Sequence, residues 1–146
     1  IMKMAMGGSS LGDHWRLDGP MYTALMEHIR ATMAETQTTM GAFIWFQGFN
    51  DQFDDVYCQP LTPDYQENLA HFLAAIRSEL GTDLSIIIVK ARNDGNLSEI
   101  RRAQDAVAAS MEGVLTVETA DLSDCFHYDS GAQIIIGERI AEALIP

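Results

Sequence analysis

The run Leu84–Val89 (LSIIIV) is apolar at five of six positions, with no alternation after Ser85. A strand with one face in water alternates apolar and polar residues, whereas an unbroken apolar run has both faces covered. Gly41–Phe46 (GAFIWF), bounded by Gly41 and Gly48, has the same character, and Val114–Val117 is a shorter case. Helical periodicity fills the intervals. From Pro20 to about Met33, Met21, Leu25, Met26, Ile29 and Met33 recur at helical spacing. Thr62-Pro63-Asp64 opens a second helix with Leu69, Phe72, Leu73, Ile76 and Leu80 on one face, ended by Gly81. Leu97-Ser98-Glu99 starts a third, with Ile100, Ala103, Val107 and Met111 on one side, and Ser130 to Leu144 reads as the last. Ile1–Met6 reads as a further strand at the start of the chain, closed by the turn signal Gly7-Gly8-Ser9-Ser10. Buried strands joined through helices predict an α/β fold, a three-layer α/β/α sandwich around a parallel sheet.

At 146 residues, without repeat or linker, residues 1–146 are expected to form a single domain. A chain that opens with Ile1-Met2-Lys3 in the middle of a strand is expected to be N-terminally incomplete. Hydrophobic residues make up 47% of the chain, enough for a buried core, yet no apolar run approaches the roughly 20 residues of a membrane span. A net charge of −12, with nine scattered Lys and Arg residues, disfavours nucleic acid as a partner. Cys58 and Cys125 make no disulfide framework, their redox state stays open, and no Cys/His cluster has metal-ligand spacing. Neither a metal nor another cofactor is expected. Ile1–Met6 is too short for a signal-peptide core, so no targeting segment is read here.

Open parallel sheets bind ligands beyond the carboxyl ends of their strands. The segments that follow the four runs there carry Gly7 to Ser10, then Gln47 to Asp51, then Arg92 to Asp94, then Asp121, Ser123, Asp124 and His127. The opposite rim, served by Thr36–Thr39 and Glu112-Gly113, holds no comparable set. Asp124-Cys125-Phe126-His127 is the sharpest feature. A carboxylate three residues before an imidazole can accept its Nδ1–H and leave Nε2 free to take a proton from a nucleophile. The spacing is common by chance; its place between the last strand and the last helix singles it out. Gln47 emerges from a buried strand end, where one use of its amide is donation to an oxyanion. Gly7 and Gly8 let a backbone N–H approach a ligand closely.

Taken together, these residues resemble the SGNH hydrolases, most closely the carbohydrate esterase group that includes the sialate O-acetylesterases. Met4–Leu11 (MAMGGSSL) with Trp15 is similar to that family's second block. Ile44–Asp51 (IWFQGFND) resembles its third, usually Trp-x-Gln-Gly-Glu-x-Asp, and Asp121–Gly137 (DLSDCFHYDSGAQIIIG) its last. Arg101 to Gln104 is similar to a family Arg-x-x-Gln stretch. The resemblance implies an SGNH or flavodoxin-like sandwich lacking its first strand. It implies His127 as general base, Asp124 as its orienting partner, and Gly8 N–H with the Gln47 amide as the oxyanion hole. The implied reaction is acetyl-ester cleavage from a sugar, or another small ester, through an acyl-enzyme. An extracellular or periplasmic setting goes with it. Ser9, Trp15, Phe49, Asn50 and Asp51 are expected to line the substrate pocket.

Two departures stand out. Phe49 replaces the family's usual Glu. The family's first block, a strand followed by Gly-x-Ser that carries the nucleophile, would lie upstream of everything in this chain, and its strand between the chain's first two. A preceding segment or self-association is then expected to complete the sheet. Within the chain, Gly8-Ser9-Ser10-Leu11-Gly12 fits the Gly-x-Ser-x-Gly elbow and makes Ser10 a candidate nucleophile, although Leu11–Gly19 reads as loop, where an elbow needs a helix. The alternative is a catalytically inactive carbohydrate-binding or scaffold domain. A flavodoxin-like cofactor domain is disfavoured, because the loop after the first run has no phosphate-cradling pattern.

Overall fold

The computed structural model describes residues 1–51, 64–93, 97–122 and 127–145. Seven elements follow in chain order: α1 (Pro20–Thr36), β1 (Ala42–Trp45), α2 (Tyr65–Leu80), β2 (Ser85–Val89), α3 (Ser98–Ser110), β3 (Val114–Val117) and α4 (Ser130–Leu144). The three strands pair in parallel in the order β1-β2-β3, with Phe43 opposite Ile86 and Ile88 opposite Thr116.

Successive side chains of a strand point to opposite faces, and β2 shows why its run had to be apolar throughout. Ile86 and Ile88 enter one core with Phe43 and Trp45 of β1 and the buried faces of α1, α2 and α3. Ile87 and Val89 enter a second core with Val117, Tyr128, Ala132 and Ile136 on the α4 side. All four are fully buried. The three-layer α/β/α arrangement expected from the sequence is therefore present. The α4 layer covers β2 and β3, which leaves Ile44 and Phe46 of the β1 side about half exposed.

Helix ends follow local chemistry. Asp129 caps α4 by accepting the Ala132 N–H at 2.8 Å. Gly81 closes α2, its N–H bonding to the Arg77 carbonyl at 2.9 Å. The Thr62-Pro63 opening assigned to that helix lies outside the described residues; its first described turn starts after Asp64.

One expected strand is absent. Residues 1–5 keep a period of two, with Met2 and Met4 leaning on the larger core while Ile1, Lys3 and Ala5 face out, and Met6 breaks it by being exposed. The segment joins no ladder, and a strand exists only through its partner's backbone groups. Among the described residues, no helix is long and apolar enough to cross a membrane, and no group of three or more His, Cys, Asp or Glu is placed to hold a metal ion.

Candidate active site

The segments beyond the carboxyl ends of the strands are tied to one another by hydrogen bonds. Gln104, fully buried on α3, accepts the Ala91 N–H through Oε1 at 3.0 Å, just past β2. Its Nε2 donates to the Gln47 carbonyl at 3.0 Å, just past β1. Arg101, one helical turn earlier, donates to the Ala91 carbonyl, to Thr119 Oγ1 at 3.2 Å and to the Glu118 carboxylate. Thr119 Oγ1 in turn donates to the Lys90 carbonyl at 3.1 Å. Strand ends that would otherwise bury unpaired backbone groups are thus satisfied from α3.

The Glu118 carboxylate closes this brace. Burial alone would raise its pKa, but Arg101, the N–H groups of Thr119 and Ala120, and Lys90 together hold it at about 2. Lys90 also reaches Asp105 at 2.7 Å.

The segment after Gly8 is fastened to the same rim through Gln47 and Asp51. Gly8 has a φ of +70°, in the region that favours glycine, and is exposed. Ser9 is buried; its Oγ donates to the Met6 carbonyl at 2.8 Å and accepts from Trp15 Nε1 at 2.8 Å. Trp15 then packs edge-on against Trp45 of β1, ring centroids 5.3 Å apart. The Gln47 Nε2 donates to the Ser9 carbonyl at 3.2 Å and to Asp51 Oδ2. Asp51, 1% exposed, accepts the backbone N–H of Leu11 at 2.8 Å and of Gly12 at 3.4 Å. Tyr65, buried at the start of α2, places its hydroxyl 3.5 Å from both Oε1 and the carbonyl of Gln47. Burial, and secondarily the Asp51 charge, push that hydroxyl far above its ordinary pKa, so it remains a donor.

The segment carrying His127 reaches the end of β1 through an aromatic cluster. The Tyr128 ring lies 5.8 Å from that of Phe46 and 6.3 Å from that of Phe49, the residues on either side of Gln47-Gly48. His127 itself is exposed, and Asp124 lies outside the described residues. Phe49 is half-buried in this cluster, and Asn50 is exposed. Ser10 is buried, with its N–H donating to His14 Nδ1 at 3.3 Å and its Oγ 3.4 Å from the same nitrogen. Residues 11–19 form turns, and helix begins only at Pro20, so Ser10 does not lead directly into a helix as an elbow serine does.

Sequence reasoning missed Tyr65 and Thr119 as parts of this arrangement. Asp51, expected among the pocket-lining residues, is buried and clamps the Leu11 and Gly12 N–H groups to the Gln47 amide. Gln104 enters the sequence reading only within the Arg101 to Gln104 stretch, without a role; it shares the α3 face of Ile100 and Val107, and a polar side chain on an apolar stripe needs a partner.

The whole chain, residues 1–146, matches the family model described as carbohydrate esterase, sialic acid-specific acetylesterase. Its structure is similar to the X-ray structure of a protein from Arabidopsis thaliana, with a TM-score of 0.81 and 23% identity. That likeness covers 95% of this chain and 57% of the other, so the chain spans little more than half of its neighbour's length, and at this identity it concerns the fold.

Proposed function

The chain belongs to the sialic acid-specific acetylesterase family of carbohydrate esterases, and on that premise we propose that it supplies the base and oxyanion-binding side of an acetyl-ester hydrolase centre. The hydrogen-bonded rim that gathers the Gly8 segment and Gln47, with Tyr128 drawing the His127 segment onto it, is the observation that carries this reading. In the proposed reaction a serine Oγ attacks the acetyl carbonyl of a sugar ester while His127 takes its proton, oriented by Asp124. The oxyanion is met by Gly8 N–H and by the Gln47 amide. The sugar oxygen leaves with the proton from His127, and water then releases acetate from the acyl-serine. Both Gln47 N–H groups have partners in the free protein, so donation to an oxyanion requires the longer of these bonds, to the Ser9 carbonyl, to give way.

The serine is proposed to come from a Gly-x-Ser segment of the full natural protein, with Ser10 the candidate inside this chain. Acetate release from p-nitrophenyl acetate and from O-acetylated sialic acid by that protein tests the scheme. Turnover that survives Ser10→Ala and disappears with His127→Ala supports it. Loss with Ser10→Ala moves the nucleophile into this chain, and full activity of His127→Ala ends the proposal. The second reading, sugar binding without turnover, draws on Phe49 in its ring cluster. Calorimetric binding of the sugar by a wild-type protein that releases no acetate would select it.

A further inference from the structure

Gln47 presents two nearly isosteric ends, an acceptor and a double donor, and only one orientation serves an oxyanion. Its surroundings are directional. Ala91 N–H donates to Gln104 Oε1, which fixes the Gln104 amide so that Nε2 points at the Gln47 carbonyl and, at 3.5 Å, at the Tyr65 oxygen. Tyr65's one proton has two acceptors at 3.5 Å, the Gln47 carbonyl, which Gln104 Nε2 already meets at 3.0 Å, and Gln47 Oε1, at which Tyr65 is the donor. The other end of the Gln47 amide faces two groups without protons, the Ser9 carbonyl and the Asp51 carboxylate. A flipped Gln47 would set an oxygen against a carboxylate buried to 1% exposure, and would turn its N–H groups toward a donor.

We propose that Asp51 is a positioning residue of the acyl-transfer centre, one that locks the donor end of the Gln47 amide toward the Ser9 carbonyl, where the oxyanion is to be received. This rests on the esterase reading above and adds to it the group that sets the polarity of the hole. Asp51 acts on both sides of the site at once. One oxygen takes the Leu11 and Gly12 N–H groups and so holds the segment after Gly8; the other takes Gln47. The carboxylate bond to Gln47 is charge-assisted, whereas the bond to Ser9, at 3.2 Å, is the weaker one and the one an oxyanion can displace.

Asp51→Asn is the diagnostic change, because it keeps the shape and reverses the polarity. Leu11 N–H still requires an acceptor, so the new amide keeps its oxygen there and turns its NH2 toward Gln47. Gln47 then presents Oε1 to that NH2 and loses its donor orientation. In the full natural protein with p-nitrophenyl acetate, Asp51→Asn is expected to lower kcat by up to about 100-fold with KM little changed. In a Gln47→Ala background the same substitution is expected to change kcat no further, since it acts through the missing amide. Equal losses in both backgrounds, or a kcat in Asp51→Asn equal to wild type, overturn the proposal.

Two measurements keep it testable when Asp51→Asn does not fold or wild type does not turn over. Tyr65→Phe removes the donor at the other end of the amide and is expected to show a smaller kcat loss that also vanishes in the Gln47→Ala background. A loss that persists there counts against the lock. The side-chain N–H pair of Gln47, followed by ¹⁵N NMR, reports the lock without chemistry. A pair that moves in Asp51→Asn, or in Tyr65→Phe where that variant alone folds, upholds it, and an unmoved pair overturns it. An inactive wild type with a moved pair removes the esterase reading and leaves the Asp51–Gln47 lock standing.

Discussion

The carboxylate of Asp51 accepts the backbone N–H of Leu11 at 2.8 Å, across 40 positions of sequence, and both groups are buried. This one bond decides where the glycine-rich segment sits relative to the end of β1. It also means that two stretches far apart in sequence form one structural unit.

Removing that acceptor should be felt in the fold. Asp51→Ala leaves the Leu11 N–H without its partner in a dry site and is expected to cost about 1–3 kcal/mol. Equilibrium urea unfolding, with an unchanged m-value, measures it.

Gly48 should tolerate nothing larger than hydrogen. Its φ is +128°, and an added Cβ would lie 2.7 Å from Ile100 Cγ2, 3.2 Å from the Tyr65 oxygen and 3.3 Å from Gln104 Nε2. Strain and overlap together put Gly48→Ala at about 3 kcal/mol or more of destabilisation. A Gly7→Ala control, where the same Cβ meets nothing within 4 Å, is expected to lose far less in the same thermal melts.

Gln104→Leu preserves volume but strips partners from the Ala91 N–H and the Gln47 carbonyl. The expected loss is about 1–3 kcal/mol for each buried group left unpaired. Hydrogen exchange at the Ala91 amide should quicken at the same time. A variant as stable as wild type would mean that water replaces the side chain.

Acid should weaken the brace between β2, β3 and α3 through Glu118. Its carboxyl is held at about 2 in the fold against an ordinary 4.5. Its contribution is therefore complete above about pH 4.5 and is lost as pH falls toward 2. Its side chain is 51% exposed, so solvent keeps the effect small. Unfolding curves of wild type and Glu118→Gln should differ most above pH 4.5 and converge near pH 2.

The layered fold was legible because its signals are local. Val114–Val117 and Ser130–Leu144 have the limits that the sequence indicates, the second because Asp129 can cap it and Ile136 and Ala132 share a face. Ile86 to Val89 announced burial on both sides by having no polar position among them. Ile1–Met6 was misread because a strand's existence is decided by a distant partner, and its own period of two cannot supply one. The same limit applies at the site. The positions of Gly8 and Gln47 could be matched block by block, but the route from Gln104 through Tyr65 to Asp51 consists of tertiary hydrogen bonds that no spacing encodes. Thr119 belongs to the same class: an ordinary polar residue in sequence, joined to Arg101 only once β2, β3 and α3 are assembled.

The edge-on meeting of Trp15 with Trp45 makes the protein its own optical gauge. These are the chain's two tryptophans, one in the segment bonded to Ser9 and the other in the sheet. Any event that lifts the Ser9–Trp15 stretch away from β1 should shift their emission to longer wavelength and flatten the near-ultraviolet dichroism of the coupled indoles. Docking of that stretch can therefore be followed without a label, a substrate or a second protein.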